Sequence, residues 1–248
     1  GTAFDQVEYV QMDTDAGYEL VISSQLSDQL LKSVHVFTFA SGSASQLMAE
    51  NCTRFITSDL DWDSAGEILL LHPGQTDTDR GVAVLYGVEN GIMERSNEVS
   101  MSEPVSALKR VITGQLHGRI PGVYVASAAG EGAIITDVYA LVDGVFTNVT
   151  FSSQAGTSVQ TLRNYYVYAD DIDNDGVVEL PSLMSMTPMD TDQAEQQQYF
   201  IRWYAMAGDG SEVNKMYTFH NFAEGWYLKL NESIVSNVTV QPGKNGID

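Results

Sequence analysis

The chain has 248 residues and carries 33 acidic against 12 basic side chains, a formal net charge of −21. That sign opposes binding to the phosphates of nucleic acid or to anionic lipid, and a single cysteine, Cys52, excludes an intrachain disulfide or a multi-thiolate metal site. A hydrophobic fraction of 44% with 10% aromatic residues fits a chain that buries a core and leans toward strands, and no run approaches the ~20 apolar residues of a membrane-spanning helix.

In chain order, the first unit (4–52) opens with a strand-like segment and an acidic loop holding Asp13, Asp15 and Glu19, with Gln11 where a fourth oxygen ligand would stand. The aliphatic run Leu20-Val21-Ile22 follows, and then the β-branched and aromatic stretch Val34 to Phe39. The second unit (53–103) repeats the frame: Asp59, Asp61, Asp63 and Glu67, then Ile68-Leu69-Leu70-Leu71, then Gly81 to Tyr86, then the polar Gly91 to Ser96. In the third (108–160) the loop is degenerate, with Gln115, His117 and Arg119 at the ligand positions, and Val123-Tyr124-Val125, Ile134 to Leu141 and Gly144 to Thr150 follow. The fourth (163–232) restores the loop as Asp171, Asp173, Asp175 and Glu179 with Gly176 inside it, and continues to Phe200 to Met206. The remainder, 233–248, contains a last strand-like run from Ile234 to Val240 and reads as an extra or closing strand. Pro104 to Arg110 and Asp190 to Gln198 are the segments with weak helical character, neither with an extended apolar face at helical spacing.

The equivalent positions Asp13, Asp61, His117 and Asp173 lie 48, 56 and 56 residues apart. That period matches one four-stranded propeller blade of roughly 40 to 50 residues plus loop insertions. Runs apolar at every position belong to strands buried on both faces, and hydrophobicity that declines along each unit suits a radial blade whose outer edge meets water. The expected fold is therefore all-β: a single β-propeller domain over 1–248 with four visible four-stranded blades, leaving open a fifth blade or an incomplete ring.

Each complete loop places acids at positions 1, 3, 5 and 9. Calcium takes six to eight oxygens at about 2.3 to 2.6 Å, alternate residues of a tight loop aim carboxylates at one point, and glycine at position 6 permits the turn. The candidate ligands are Asp59, Asp61, Asp63 and Glu67, and Asp171, Asp173, Asp175 and Glu179, with Asp13, Asp15 and Glu19 as a weaker set. Strand-like flanks and a final acid at position 9, where an EF-hand has 12, set that helical motif aside. The third loop is expected to hold no ion; Arg119 would supply a fixed positive charge there.

Strand, D-x-D-x-D-G-x-x-E loop, aliphatic strand and a strand such as Gly81-Val82-Ala83-Val84-Leu85-Tyr86 resemble the calcium-binding FG-GAP and VCBS type of β-propeller repeat over nearly the whole chain. Leu108 to Gly114, Gly132 to Val138, Arg163 to Asp173 and His220 to Leu228 are similar to a group of cell-surface lipoproteins from gut Firmicutes. That resemblance implies an extracytoplasmic propeller tethered by a lipidated N-terminus lying outside this sequence, with further sequence at one or both ends and no established activity.

No phosphate-binding loop, dinucleotide fingerprint, zinc-protease motif or nucleophile elbow occurs, and His35, His72, His117 and His220 show no ligand spacing. Trp203, Tyr204, Trp226 and Tyr227 read as core, or else as a sugar or peptide groove in the last repeat. The expected function is a non-catalytic binding or scaffolding propeller with structural calcium, whose partner is a glycan or a surface protein. The alternatives are a glycan-active enzyme with carboxylates in the axial funnel, and an integrin-like protein-interaction domain with an exposed apolar or aromatic patch.

Overall fold

The computed structural model describes residues 4–14, 17–26, 31–40, 42–74, 79–186, 199–235, 237, 242–243 and 246–247. These form four four-stranded antiparallel sheets, each with its strands side by side in chain order. The first holds β1 (Gln6–Val10), β2 (Glu19–Gln25), β3 (Lys32–Ala40) and β4 (Ser43–Cys52). The second holds β5 (Arg54–Ser58), β6 (Glu67–His72), β7 (Val82–Glu89) and β8 (Ile92–Ser100). The third holds β9 (Val105–Gln115), β10 (Pro121–Ala129), β11 (Ala133–Val142) and β12 (Val145–Asn148). The fourth holds β13 (Glu179–Ser185), β14 (Tyr199–Met206), β15 (Glu212–Asn221) and β16 (Trp226–Leu230). Two-residue turns at Asn90-Gly91 and Asp143-Gly144, left-handed at both residues, close the β7–β8 and β11–β12 hairpins with a twist that matches the strands.

The sheets pack face to face in succession, and β6 shows why its sequence is apolar throughout. Ile68 and Leu70 join Val21, Val34, Val36 and Met48 in a core between the first and second sheets. Leu69 and Leu71, on the opposite face, meet Val123, Val125 and Tyr139 in a core between the second and third. Tyr124, Val138 and Ala140 then turn toward Leu180, Tyr204 and Met206, between the third and fourth. Alternate residues of the central strands of the second and third sheets thus serve two different cores, which is the packing of successive propeller blades. The outer strands β4, β8 and β16 are mostly exposed, as falling hydrophobicity along their units requires, whereas β12 in the third sheet buries Phe146 and Asn148. The all-β, blade-built architecture expected from the repeats is the one observed.

A buried polar pin joins the second and third sheets to the segment after β12. Asp137, 1% exposed, accepts from Ser102 N (2.9 Å), Ser102 Oγ (2.7 Å), Asn148 Nδ2 (3.0 Å), Ser158 Oγ (2.6 Å) and Tyr139 OH (3.3 Å). A buried carboxylate is tolerable here because donors surround both oxygens.

Several local expectations are corrected. Pro104 to Arg110, read as weakly helical, falls mostly in β9, an eleven-residue strand whose pairing with β10 prevails over local preference. The segment before the fourth loop is reduced to an isolated bridge, Asp170 to Glu179, and β16 supplies the fourth strand of that sheet. Within the strand-like run from Ile234 to Val240, Ile234 and Val235 belong to a helical turn, Glu232–Val235, and Asn237 to a further turn. A two-residue ladder joins β17 (Pro242–Gly243) to β18 (Gly246–Ile247). The possible helical turn at Asp190 to Gln198 lies outside the described residues.

Candidate metal centre

The loops between β5 and β6 and before β13 share one hydrogen-bond frame. The position-9 glutamate reaches back to the amide of position 2: Leu60 N donates to Glu67 Oε2 (2.7 Å), and Ile172 N to Glu179 Oε2 (3.1 Å). The position-1 aspartate accepts from position 6, as Ser64 N to Asp59 Oδ2 (3.1 Å) and Gly176 N to Asp171 Oδ2 (2.9 Å). Position 3 accepts from position 5, as Asp63 N to Asp61 Oδ1 (3.1 Å) and Asp175 N to Asp173 Oδ1 (3.2 Å). Position 6 is left-handed in both loops, with φ 88° at Gly176 and 76° at Ser64, so the serine occupies the turn that glycine adopts without strain. Position 4 is left-handed as well, at Trp62 and Asn174.

This frame gathers Asp59, Asp61 and Glu67 in one loop, and Asp171, Asp173 and Glu179 in the other. In each triad one oxygen per residue lies within 4.8 Å of the others, a span about twice a calcium–oxygen bond. The position-5 acids stand outside the triads: Asp63 Oδ1 accepts from Ala65 N (2.7 Å), and Asp175 pairs through Oδ2 with Lys215 Nζ at 2.5 Å. Glu179 is fully buried, and its Oε1 has no hydrogen-bond partner; the Lys215 ammonium stands 3.9 Å away. A buried glutamate within a cluster of three carboxylates, with one oxygen lacking a hydrogen-bond donor, suits a cation ligand.

The electrostatics agree. Burial, reinforced by Asp61, Asp63 and Asp59, pushes the Glu67 carboxyl up to about 7 against the pull of the Leu60 amide. Burial likewise pushes Glu179 up to about 7, with Asp173 and Asp175 raising it and the Ile172 amide and Lys215 opposing. Burial raises Asp61 too. Each triad is thus a knot of like charge that a divalent cation would relieve. Asp175 behaves oppositely: its hydrogen bond from Lys215 holds it below the usual carboxylate range.

The other two loops complete the edge. In the first, Met12 N donates to Glu19 Oε2 at 3.0 Å, the same position-2 to position-9 bond, while Gln11 Nε2 turns to the Asp13 carbonyl (2.6 Å). Asp15, the third member of that weaker set, lies outside the described residues. The third loop closes through backbone bonds, Leu116 N to Ile120 O (2.8 Å) and Arg119 N to Leu116 O (3.0 Å), without carboxylates. Neighbouring loops touch: Gly66 N donates to Gln11 O (2.6 Å), Trp62 Nε1 to Arg119 O (3.3 Å), and Val178 N to Gln115 O (2.8 Å). Arg119 adds its charge to the field at Asp175, so its positive side chain acts on the fourth loop.

Spacing alone did not reveal Lys215, because it lies on β15, 40 residues beyond Asp175. Of the aromatic candidates, Trp203 and Tyr204 are buried, whereas Trp226 and Tyr227 are substantially exposed.

No family model and no curated protein matches the chain. Solved structures similar to it include the exotype rhamnogalacturonan lyase YesX (TM-score 0.48, 14% identity, 85% of this chain and 48% of that one) and the rhamnogalacturonan lyase YesW (TM-score 0.49, 12% identity, 91% and 50%). The chain spans about half the length of each.

Proposed function

We propose that the chain is a non-catalytic binding or scaffolding propeller of an exported, lipid-anchored surface protein, in which calcium bound by the 59–67 and 171–179 loops fixes one edge of the blade stack. The observation that carries this reading is the pair of acidic triads on one shared hydrogen-bond frame, each closed by a buried glutamate, one of which leaves Glu179 Oε1 without a hydrogen-bond partner. The net charge of −21 supports a cation, and so does the pairwise spacing of hard oxygens. The large cavity where β1, β5 and β9 converge, about 760 Å³, has Glu8 as its carboxylate among the described residues. Thr57 and Gln6 donate to that carboxylate. The partner is a glycan or a surface protein.

Calorimetric titration of calcium into chelator-treated protein tests the ion. Two bound ions and a higher melting temperature are expected, a free-energy gain of about 2.7 kcal/mol per site at a free concentration of about 100 Kd. Asp173→Ala should abolish the contribution of its loop and leave that of the other. No binding heat together with an unchanged melt in chelator rejects the reading.

One observation favours an integrin-like protein-interaction domain as a second reading. On the fourth sheet, exposed Tyr166 and Phe222 join Tyr199, Ile201, Phe219 and His220 around a cavity of about 530 Å³. Phe222→Ser should leave the melting temperature unchanged and remove any protein partner found in a surface-protein binding screen; retention of that partner rejects this face.

A further inference from the structure

Lys215 owes its position to a defect in strand pairing. Trp203 pairs with Met216 and Tyr204 with Asn214, so Lys215 is an extra residue in β15. The first sheet has the same irregularity between its third and fourth strands, where Val36 pairs with Met48 and Phe37 with Gln46. The extra residue there is Leu47, which packs against the first core. In the second sheet the shift falls between Val84, paired with Glu98, and Tyr86, paired with Arg95. A bulge re-aims the side chain it carries. In the first unit that side chain is apolar; in the fourth it is a cation lying against an acidic loop.

On the calcium reading above, we propose that Lys215 is a tethered cation that holds the 171–179 loop in shape without metal and competes with calcium for it. This makes the fourth loop the weaker site and the 59–67 loop the tighter one. The geometry requires competition on two counts. The ammonium, 2.5 Å from Asp175 Oδ2, must release that oxygen before position 5 can ligate. Standing 3.9 Å from Glu179 Oε1, it also opposes any divalent ion that this oxygen would bind. The ion pairs given by the structure include none to the 59–67 acids, so calcium there displaces no such partner among the described residues.

Calcium titration of the whole metal-free chain tests this, combined with terbium luminescence sensitised by Trp62, which stands in the 59–67 loop and is 61% exposed. Two classes of site are expected, the weaker removed by Asp173→Ala and the tighter by Asp61→Ala. Lys215→Met should tighten the weaker site by on the order of five- to tenfold and leave the Trp62-reported midpoint within about twofold, while Lys215→Arg stays close to wild type. Lys215→Gln serves as a second neutral variant should Met disturb the strand. Unchanged or weaker binding in both neutral variants, or assignment of the weaker site to the 59–67 loop, overturns the inference and leaves calcium binding intact. Binding of no calcium by the wild type overturns both.

Discussion

Leu70 and Leu71 are neighbours on β6, 1% and 0% exposed, yet they belong to different cores. In a strand with a single buried face, truncating one of two adjacent leucines costs several kcal/mol and truncating the other costs little. Here each truncation opens a cavity in close packing, and each of Leu70→Ala and Leu71→Ala should destabilise by about 3 kcal/mol. Urea unfolding at fixed free calcium is the assay, because bound metal would otherwise shift the midpoint. With a denaturant slope near 3 kcal/mol/M, each midpoint should fall by about 1 M at unchanged slope. The double variant should lose close to the sum, since the two side chains share no core, and any departure from it measures coupling through the β6 backbone they share. A cost below about 1 kcal/mol for either leucine would mean that one face of β6 is not packed against another sheet, and the face-to-face blade stack would fall with it.

Ser64→Gly should stabilise the protein by about 0.5–1 kcal/mol, since Ser64 holds the left-handed turn that Gly176 holds in the equivalent loop; a drop in melting temperature would show that its side chain has another role. Cys52 is fully buried, and burial pushes its thiol up to about 12 despite the opposing charge of Lys32, so it should resist a disulfide reagent at pH 8 until urea unfolds the chain. Rapid native-state labelling would contradict that burial. Asp137→Ala strands the donors of Ser102, Asn148, Ser158 and Tyr139 and should cost about 3–5 kcal/mol in urea unfolding; a loss under about 1 kcal/mol would mean that water replaces the carboxylate at no penalty.

Features that depend on local pattern are legible in the sequence. Ile68 to Leu71 reads as a strand buried on both faces because every position is apolar, and the two cores explain why. The Asp-x-Asp-x-Asp spacing reads as a ligand loop because the chain must turn back on itself within nine residues, and three of the four acids in each loop do converge. Features that depend on distant pairing were not legible. Pro104 to Arg110 carries weak local preference, and only the β10 ladder makes it a strand. Trp203 and Trp226 are chemically alike in sequence but differ in burial, because β14 is interior to the fourth sheet and β16 is its edge. Lys215 enters the acidic loop through a bulge, which leaves no periodic trace.

The placement of the loops explains why a metal there would act on more than its own turn. The bonds from Gly66 to Gln11, from Trp62 to Arg119 and from Val178 to Gln115 join each loop to the next along one edge of the stack. The apolar cores between sheets resist separation but are weakly directional, so they set spacing better than register. The loop bonds are directional, and they start from turns shaped by carboxylates accepting backbone amides. On the calcium reading, an ion that draws three carboxylates together fixes those turns, and through the shared bonds it fixes how neighbouring blades meet. Loss of metal from the 59–67 loop would then loosen its contacts to both adjacent sheets. In the 171–179 loop, Lys215 on β15 of the same blade already supplies part of the neutralising charge.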